Sequence, residues 1–550
     1  MFSFLRQKFG SSHSLAFLNS AQFLGALNDN IFKLLLVFLL IDVQGANRAS
    51  SILSLAGAIF VIPFLLFSSA AGVLADRFSK QKLLVLMKIV EFTLMFLAIF
   101  AFAYKSAWAC YTILFLLATH SAMFGPSKYG IIPELVASDK VSRANGLITS
   151  FTYLAIILGT FLASFLTQIT NRNFPLTAGF CLLIALGGFA STFGIKKTNP
   201  QGSKKKFNFF FISEIIKTLY SVRKKPHLLM AIFGSSFFLF IGGFTQLNII
   251  PFAIQSLGLV EVDGGYLFLA TALGIAFGAF SIGKLMKNRV ELAVSCIAGL
   301  FLFLFLILLY LFSSSLYIVI TLLFLLGAFG GVFIVPFDSF IQLHSPHEKR
   351  GQVIASTNFL SFVGVLVASF ALYLFSDVLS ISSAGGFGII GILTLLFTVI
   401  AIARLPDYVF PFLLRPFYKI KAEGEQLINN RTMLVLPNAH PKDIFFLMTK
   451  FPNIHFLIPR EKSKKPLLVK LLYSANFIDD MNVDSLQELG ARFVEEEKMG
   501  CLFLYGPITP NIFEKSFSLK NFILGDTFQP VFVKIEYKKR EITLFLSKKP

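Results

Sequence analysis

Apolar stretches of about 20 residues, each long enough to cross ~30 Å of hydrocarbon as a helix, recur along the first 405 positions of this 550-residue chain. Twelve are read, roughly at 14–42, 50–75, 83–104, 107–131, 146–169, 175–195, 228–253, 264–286, 291–312, 316–341, 352–376 and 383–404. That pattern predicts an all-α membrane fold. Composition agrees: 55% of residues are hydrophobic and 14% charged, against about 25% charged in soluble proteins. The chain is also too apolar for disorder. The first span carries Asn, Gln and Asp, unlike the apolar region of a cleavable signal peptide, so none is expected. Cys110, Cys181, Cys296 and Cys501 lie far apart with no CxxC, which argues against a disulfide framework or zinc site. No metal and no cofactor are expected.

Lys and Arg number 49 against 29 acids, a formal net charge of +20. In a soluble protein that excess would suggest nucleic acid. Here it sorts by loop. Arg6, Lys8, Arg77, Lys80, Lys140, Arg143, Lys284, Lys349 and the central loop with Lys196, Lys204, Lys205 and Lys206 fall on one side. Arg48, Lys105 and Arg172 fall on the other. By the positive-inside rule both termini are expected in the cytoplasm, without a nucleic-acid partner.

Residues 1–195 and 228–404 read as two six-helix halves around a basic linker, 196–227. The fourth span ends in FGPSKYGIIPEL (124–135) and the tenth in IVPFDSFIQLHSP (334–346), each with a proline near the helix end. Two such halves can enclose a central cavity that opens to either side by rocking. Within the linker, Glu214 to Lys225 reads as an interfacial amphipathic helix with a basic face, or as a solvated connection.

Polar residues inside the spans are the candidate site. At about 100° per residue, Asn19, Gln22, Asp29, Asn30 and Lys33 share a stripe on the first span, with Asn28 opposite its centre. A charge in mid-membrane costs at least ~3 kcal/mol, so the stripe is expected to face a cavity or a neighbouring helix. Asp29 and Lys33 are spaced to neutralise one another. Two readings are open: a cavity lining, or a structural network. On the third span Lys88 can snorkel to the interface, leaving Glu91 as the cavity candidate. Gln246 and Asn248 are further candidates on the seventh span. His120 reads as a hydrogen-bonded interhelix histidine more readily than as a proton relay. Asp338 and Lys128 end pseudo-equivalent helices and are expected to pair when one side closes. Gly274, Gly278 and Gly283, with Ala270 and Ala279, predict close helix contact on the eighth span.

Between the second and third spans, GVLADRFSKQK (72–82) resembles the cytoplasmic signature of the major facilitator superfamily. The resemblance implies a twelve-helix 6+6 bundle. In it, Gly72 lets a helix pass, Asp76 faces a helix N-terminus of the other half, and Arg77 pairs with an acid, holding one side closed. A narrower resemblance rests on QFLGALNDNIFK (22–33), FGPSKYGIIPEL, RANGLITS (143–150) and VPFDSFIQLHSPHEKRGQVIASTNFL (335–360). These are similar to the lysophospholipid transporter family, and most of all to chains in which that transporter is fused to an acyltransferase. The resemblance implies movement of lysophospholipids across a bacterial inner membrane toward the cytoplasmic leaflet, for reacylation that a separate acyltransferase could perform. It carries over Asp29 as a substrate or gating residue. A facilitator for another amphipathic compound is the alternative.

After Arg404 the composition changes. TMLVLP (432–437), IHFLIP (454–459), CLFLYG (501–506), PVFVKIEY (530–537) and EITLFLS (541–547) read as strands, and 484–498 as helix. Residues 405–550 are therefore expected to form a small cytoplasmic α/β domain. Segment order resembles the glycerolipid acyltransferase domain of the fused chains, with two departures. The family separates its His and Asp by four residues so that Asp orients the catalytic base, whereas only Pro441 and Lys442 stand between His440 and Asp443. Gly506 stands where the family has Glu. A non-catalytic tail is expected; a bifunctional transporter-acyltransferase is the other reading.

Overall fold

A chain whose apolar runs are this long can satisfy its backbone in hydrocarbon only within each run, as helix. The computed structural model describes residues 11–136, 141–198, 200, 211–223, 225–286, 290–346, 350–428, 432–436, 441–451, 454–459, 475–478, 499–503, 529–538 and 541–547. The first half contains α1 (Ser11–Gln44), α2 (Ala49–Arg77), α3 (Lys80–Ala103), α4 (Ala107–Gly130), α5 (Val141–Ile169) and α6 (Phe174–Thr192). A linker helix, Phe211–Val222, follows. The second half contains α7 (Pro226–Leu257), α8 (Glu261–Leu285), α9 (Leu292–Leu311), α10 (Leu316–His344), α11 (Arg350–Tyr373) and α12 (Ser383–Arg404). Eleven of these are long and apolar enough to cross a membrane; α5 adds a shorter apolar stretch, Leu154–Ile169, among the described residues.

Local chemistry sets the helix ends. Ser79, Ser106 and Asn173 cap α3, α4 and α6 by accepting from the backbone N–H of Lys82, Ala109 and Leu176. Gly258 ends α7 in the left-handed region at φ 65°, a conformation glycine adopts without the Cβ penalty. The linker helix stops at Val222 rather than continuing to Lys225, because Pro226 opens the next helix and disfavours a helical residue before it.

The chain divides into two compact units, one of residues 1–290 and 297–397, the other of 291–296 and 398–550. In the first unit, α1 packs along α5 and α6, and α7 along α11, while α2 meets α11 and α5 meets α8 between the halves. The closest seam lies between α8 and α10. A Cβ on Gly278 would stand 1.8 Å from the Ala328 carbonyl oxygen, and one on Gly274 2.1 Å from that of Phe324. Gly327 and Gly331 of α10 answer from the other side, against Thr271 and Ile275 carbonyls. Small residues on both helices thus let the backbones touch. The expectation for Gly283 is corrected: nothing lies within 4 Å of its Cβ position.

The second unit holds α13 (Pro406–Leu414), α14 (Pro441–Lys450) and a seven-stranded sheet ordered β1-β7-β6-β2-β5-β3-β4. Its strands are β1 (Lys419–Glu423), β2 (Thr432–Leu436), β3 (Ile454–Pro459), β4 (Ala475–Ile478), β5 (Met499–Phe503), β6 (Gln529–Lys538) and β7 (Glu541–Ser547). All pairings are parallel except β6–β7. Leu434, Ile444, Leu447, Phe456 and Leu544 fill its core. All five expected strands are present, and β1 and β4 are additional. Residues 484–498 and Gly506 lie outside the described residues.

Candidate functional site: a polar-floored cavity between the halves

Eight spanning helices and the linker helix enclose one cavity of about 1280 Å³, larger than the roughly 300–1,000 Å³ of ordinary small-molecule pockets. Most lining residues come from the part of each helix nearer the basic loops, with Asp29, Asn30 and Phe60 near mid-helix. The first half supplies Gln22, Asp29 and Asn30 (α1), Phe60 and Phe64 (α2), Lys88 (α3), His120, Ser121 and Lys128 (α4), and Thr152 (α5). The second half supplies Ser235 and Leu239 (α7), Asp338 and Gln342 (α10), and Phe362 (α11). One wall is therefore charged and hydrogen-bonding, another largely aromatic and aliphatic.

Asp29 is the centre of the polar wall. Its Oδ2 accepts from the Ser121 hydroxyl, and its Oδ1 is buried with no hydrogen-bond partner. His120 Nδ1 lies 3.4 Å from Ser121 Oγ. Lys128 is buried on the same wall, over the Tyr129 ring and within electrostatic reach of Asp29. Beside them Gln22 donates to Thr152 Oγ1 at 3.0 Å, and Asn30 donates back to the Ala26 carbonyl at 2.8 Å.

Behind that wall lies a buried ionic cluster, which Lys88 and His120 connect to the cavity lining. Lys88 Nζ is 2.6 Å from Glu91 Oε2, with the two side chains 1% and 0% exposed. Asn28 donates to Glu91 Oε1 at 3.3 Å, and His120 Nε2 stands 3.8 Å from Glu91 Oε2. Two sequence expectations are corrected here. Lys88 does not snorkel to the interface, because Gly25 and Gly188 leave room for its amine: a Cβ on them would lie 2.4 and 3.2 Å from Nζ. Glu91 does not line the cavity; it sits one layer deeper and is neutralised by Lys88. Asn28, set opposite the stripe in sequence, is what joins α1 to that cluster.

Other expected site residues are elsewhere. Asn19 and Lys33 are buried on α1 outside the cavity, Lys33 over the Phe60 ring at 5.1 Å. No ion pair joins Lys33 to Asp29 among the described residues. Gln246 and Asn248 lie beyond the cavity, where Asn248 donates to the Ser383 carbonyl at 2.8 Å. Asp338 accepts from Ser235 Oγ at 2.8 Å. It forms no pair with Lys128, because the open cavity separates the helices that carry them. The surroundings of Gly72, the side chain of Asp76 and residue His440 lie outside what is described; Arg77 is exposed at the end of α2. Asp443 is buried in the first turn of α14 and accepts from the Tyr537 hydroxyl of β6.

At the end away from the basic loops the halves are joined, by residues that no sequence motif marked. Arg172, in the α5–α6 turn, binds Asp42 of α1 and Glu261 of α8, each at 2.8 Å. Tyr266 donates to Gln168 at 2.6 Å, and Ser51 donates to Asp377 in the π-helical turn after α11. Phe64 and Phe362 stack across the halves with centroids 4.7 Å apart. The conformation is closed at that end and open toward the basic loops.

Two bundles of six helices around a cavity that is closed at one end describe a facilitator-type carrier. Residues 18–369 match the Major Facilitator Superfamily, and the chain belongs to that superfamily. Within it the chain is similar to the lysophospholipid transporters. It is 26% identical over 384 residues to the Lysophospholipid transporter LplT of Enterobacter sp. (strain 638), spanning 69% of this chain and 91% of that one. It is 27% identical to the LplT of Klebsiella pneumoniae (strain 342), over 63% and 85%. Among solved structures, a POT family transporter in complex with a thioalcohol-conjugated peptide superposes with a TM-score of 0.58 at 14% identity, over 72% of this chain and 96% of that one. The human organic anion transporter MFSD10 gives 0.56 at 16% identity, over 72% and 100%. These two likenesses establish the fold.

Proposed function

We propose that the chain carries lysophospholipids across a bacterial inner membrane toward the cytoplasmic leaflet, where reacylation consumes them. The observation that carries this reading is the two-sided cavity: Asp29, Ser121 and Lys128 offer a charged headgroup paired partners, while Phe60, Phe64 and Phe362 offer a single acyl chain an apolar wall. The similarity to lysophospholipid transporters supports the same substrate class. The side with the basic loops is the cytoplasmic one by the positive-inside rule, so the cavity opens inward. Alternating access then requires the Arg172, Tyr266 and Asp377 contacts to break while the basic-loop side closes. The α/β domain does not catalyse acyl transfer in this reading, since Asp443 is spaced wrongly from His440 and is held by Tyr537.

The test is uptake of labelled lysophosphatidylethanolamine and lysophosphatidylglycerol into proteoliposomes holding the full chain. Faster movement than in protein-free vesicles is expected, with diacyl lipid excluded; no acceleration for either lysolipid rejects the reading. A second expectation concerns the closed end. Arg172→Ala removes a cation shared by Asp42 and Glu261, and should increase labelling of a cysteine introduced at Thr152 by an impermeant thiol reagent from the outer side. A charge swap, Arg172→Glu with Glu261→Arg, should bring the labelling back toward that of the parent. Unchanged labelling in Arg172→Ala would show that the latch does not hold this end shut.

A further inference from the structure

The linker helix Phe211–Val222 has two unlike faces. Ile215, Lys217, Thr218 and Ser221 line the mouth of the cavity, and Thr218 and Val222 are buried. Turned away from the protein, Ile212, Ile216 and Tyr220 are 52%, 60% and 63% exposed. Their spacing of four places them in one stripe along the helix. Apolar side chains so arranged in water forgo the free energy of burial, and a helix this short is marginal without a surface to pack on.

Two features say what that surface is. Val222 is joined by only three residues to Pro226, the start of α7 and of a membrane span. At ~3.5 Å per residue that connection holds the helix end within about 15 Å of the bilayer boundary. The stripe is flanked by cations: Arg223 stacks on the Tyr220 ring at 3.5 Å, and Lys217 and Lys225 are exposed. An apolar stripe bordered by basic groups fits the headgroup layer of an anionic leaflet.

We propose that the linker helix docks on anionic lipid through Ile212, Ile216 and Tyr220, so that the cavity has a lip with one face in the bilayer and the other in the cavity. A headgroup passing between leaflet and cavity crosses Lys217, Thr218 and Ser221 without leaving the membrane surface. The placement does not depend on which molecule is carried.

The test uses the full chain in nanodiscs of phosphatidylcholine, alone or mixed with phosphatidylglycerol. The four native cysteines are buried, so a cysteine introduced singly at 212, 216 or 220 takes an environment-sensitive fluorophore selectively. Shallow spin-labelled lipid should quench these probes by about two-fold or more, more strongly with phosphatidylglycerol present. The Ser221→Cys probe, on the cavity face, should be quenched by iodide from the water instead. Iodide quenching at 212, 216 and 220 without lipid quenching overturns the proposal. Protection from both quenchers also overturns it, because protein, such as a second copy, then covers the stripe.

Discussion

Asp29→Ala is expected to lower lysophospholipid uptake by roughly 10–100-fold, the factor corresponding to ~1.5–3 kcal/mol for a charge-assisted hydrogen bond. The carboxylate has one oxygen engaged by Ser121 and one buried without a partner beside the cavity. A headgroup cation or hydroxyl entering from the basic-loop side meets that bare oxygen, with Lys128 near enough to take the phosphate. Asp29→Asn separates charge from shape, since the amide oxygen still accepts from Ser121. Loss in both variants identifies the charge as the working element. Uptake unchanged in both would make Asp29 a packing residue and remove the proposed headgroup site. The comparison should be run with ethanolamine and glycerol headgroups, because only the former brings its own cation.

Glu91→Ala is expected to act on stability instead. It leaves the Lys88 ammonium, 1% exposed, without its counter-charge. Removing one partner of a buried ion pair costs about 3–5 kcal/mol, whereas replacing both with well-packed apolar groups is often neutral. Glu91→Ala should therefore show a large loss of thermal stability in detergent, and the double variant Lys88→Met with Glu91→Leu should recover most of it. Glu91→Gln, which keeps an acceptor for Asn28, should fall between. A single variant as stable as the parent would mean that Lys88 finds water or another anion, and that Glu91 is not what stabilises its charge.

Both predictions turn on a distinction invisible in the helical periodicity. Asp29 and Glu91 are each an acid in an apolar span, and each has a lysine within one turn. Lys33 lies along α1 from Asp29 but packs on Phe60, leaving that carboxylate to Ser121; Lys88 folds back onto Glu91 in space opened by Gly25 and Gly188. Angular position on α1 groups Gln22, Asp29 and Asn30, which line the cavity, since neighbours on one helix face are determined by pitch alone. It also included Asn19 and Lys33, because pitch says nothing about how far along the helix the cavity extends. The Arg172 contacts were missed for a related reason: the three residues are distant in sequence, and only the packing of the halves brings them together.

The chain's own order of residues settled what needs only local physics: spans counted from hydrocarbon thickness, strands from short β-branched and aromatic runs, and helix limits from serine caps and proline. Tertiary structure decided which ionisable groups face the cavity and which neutralise one another behind it, which end is shut, and that α8 and α10 touch along a seam of glycines on both helices. Those outcomes depend on distances between segments far apart in sequence, and a buried charge is satisfied by whatever lies within a few ångströms of it, not by its neighbours along the chain.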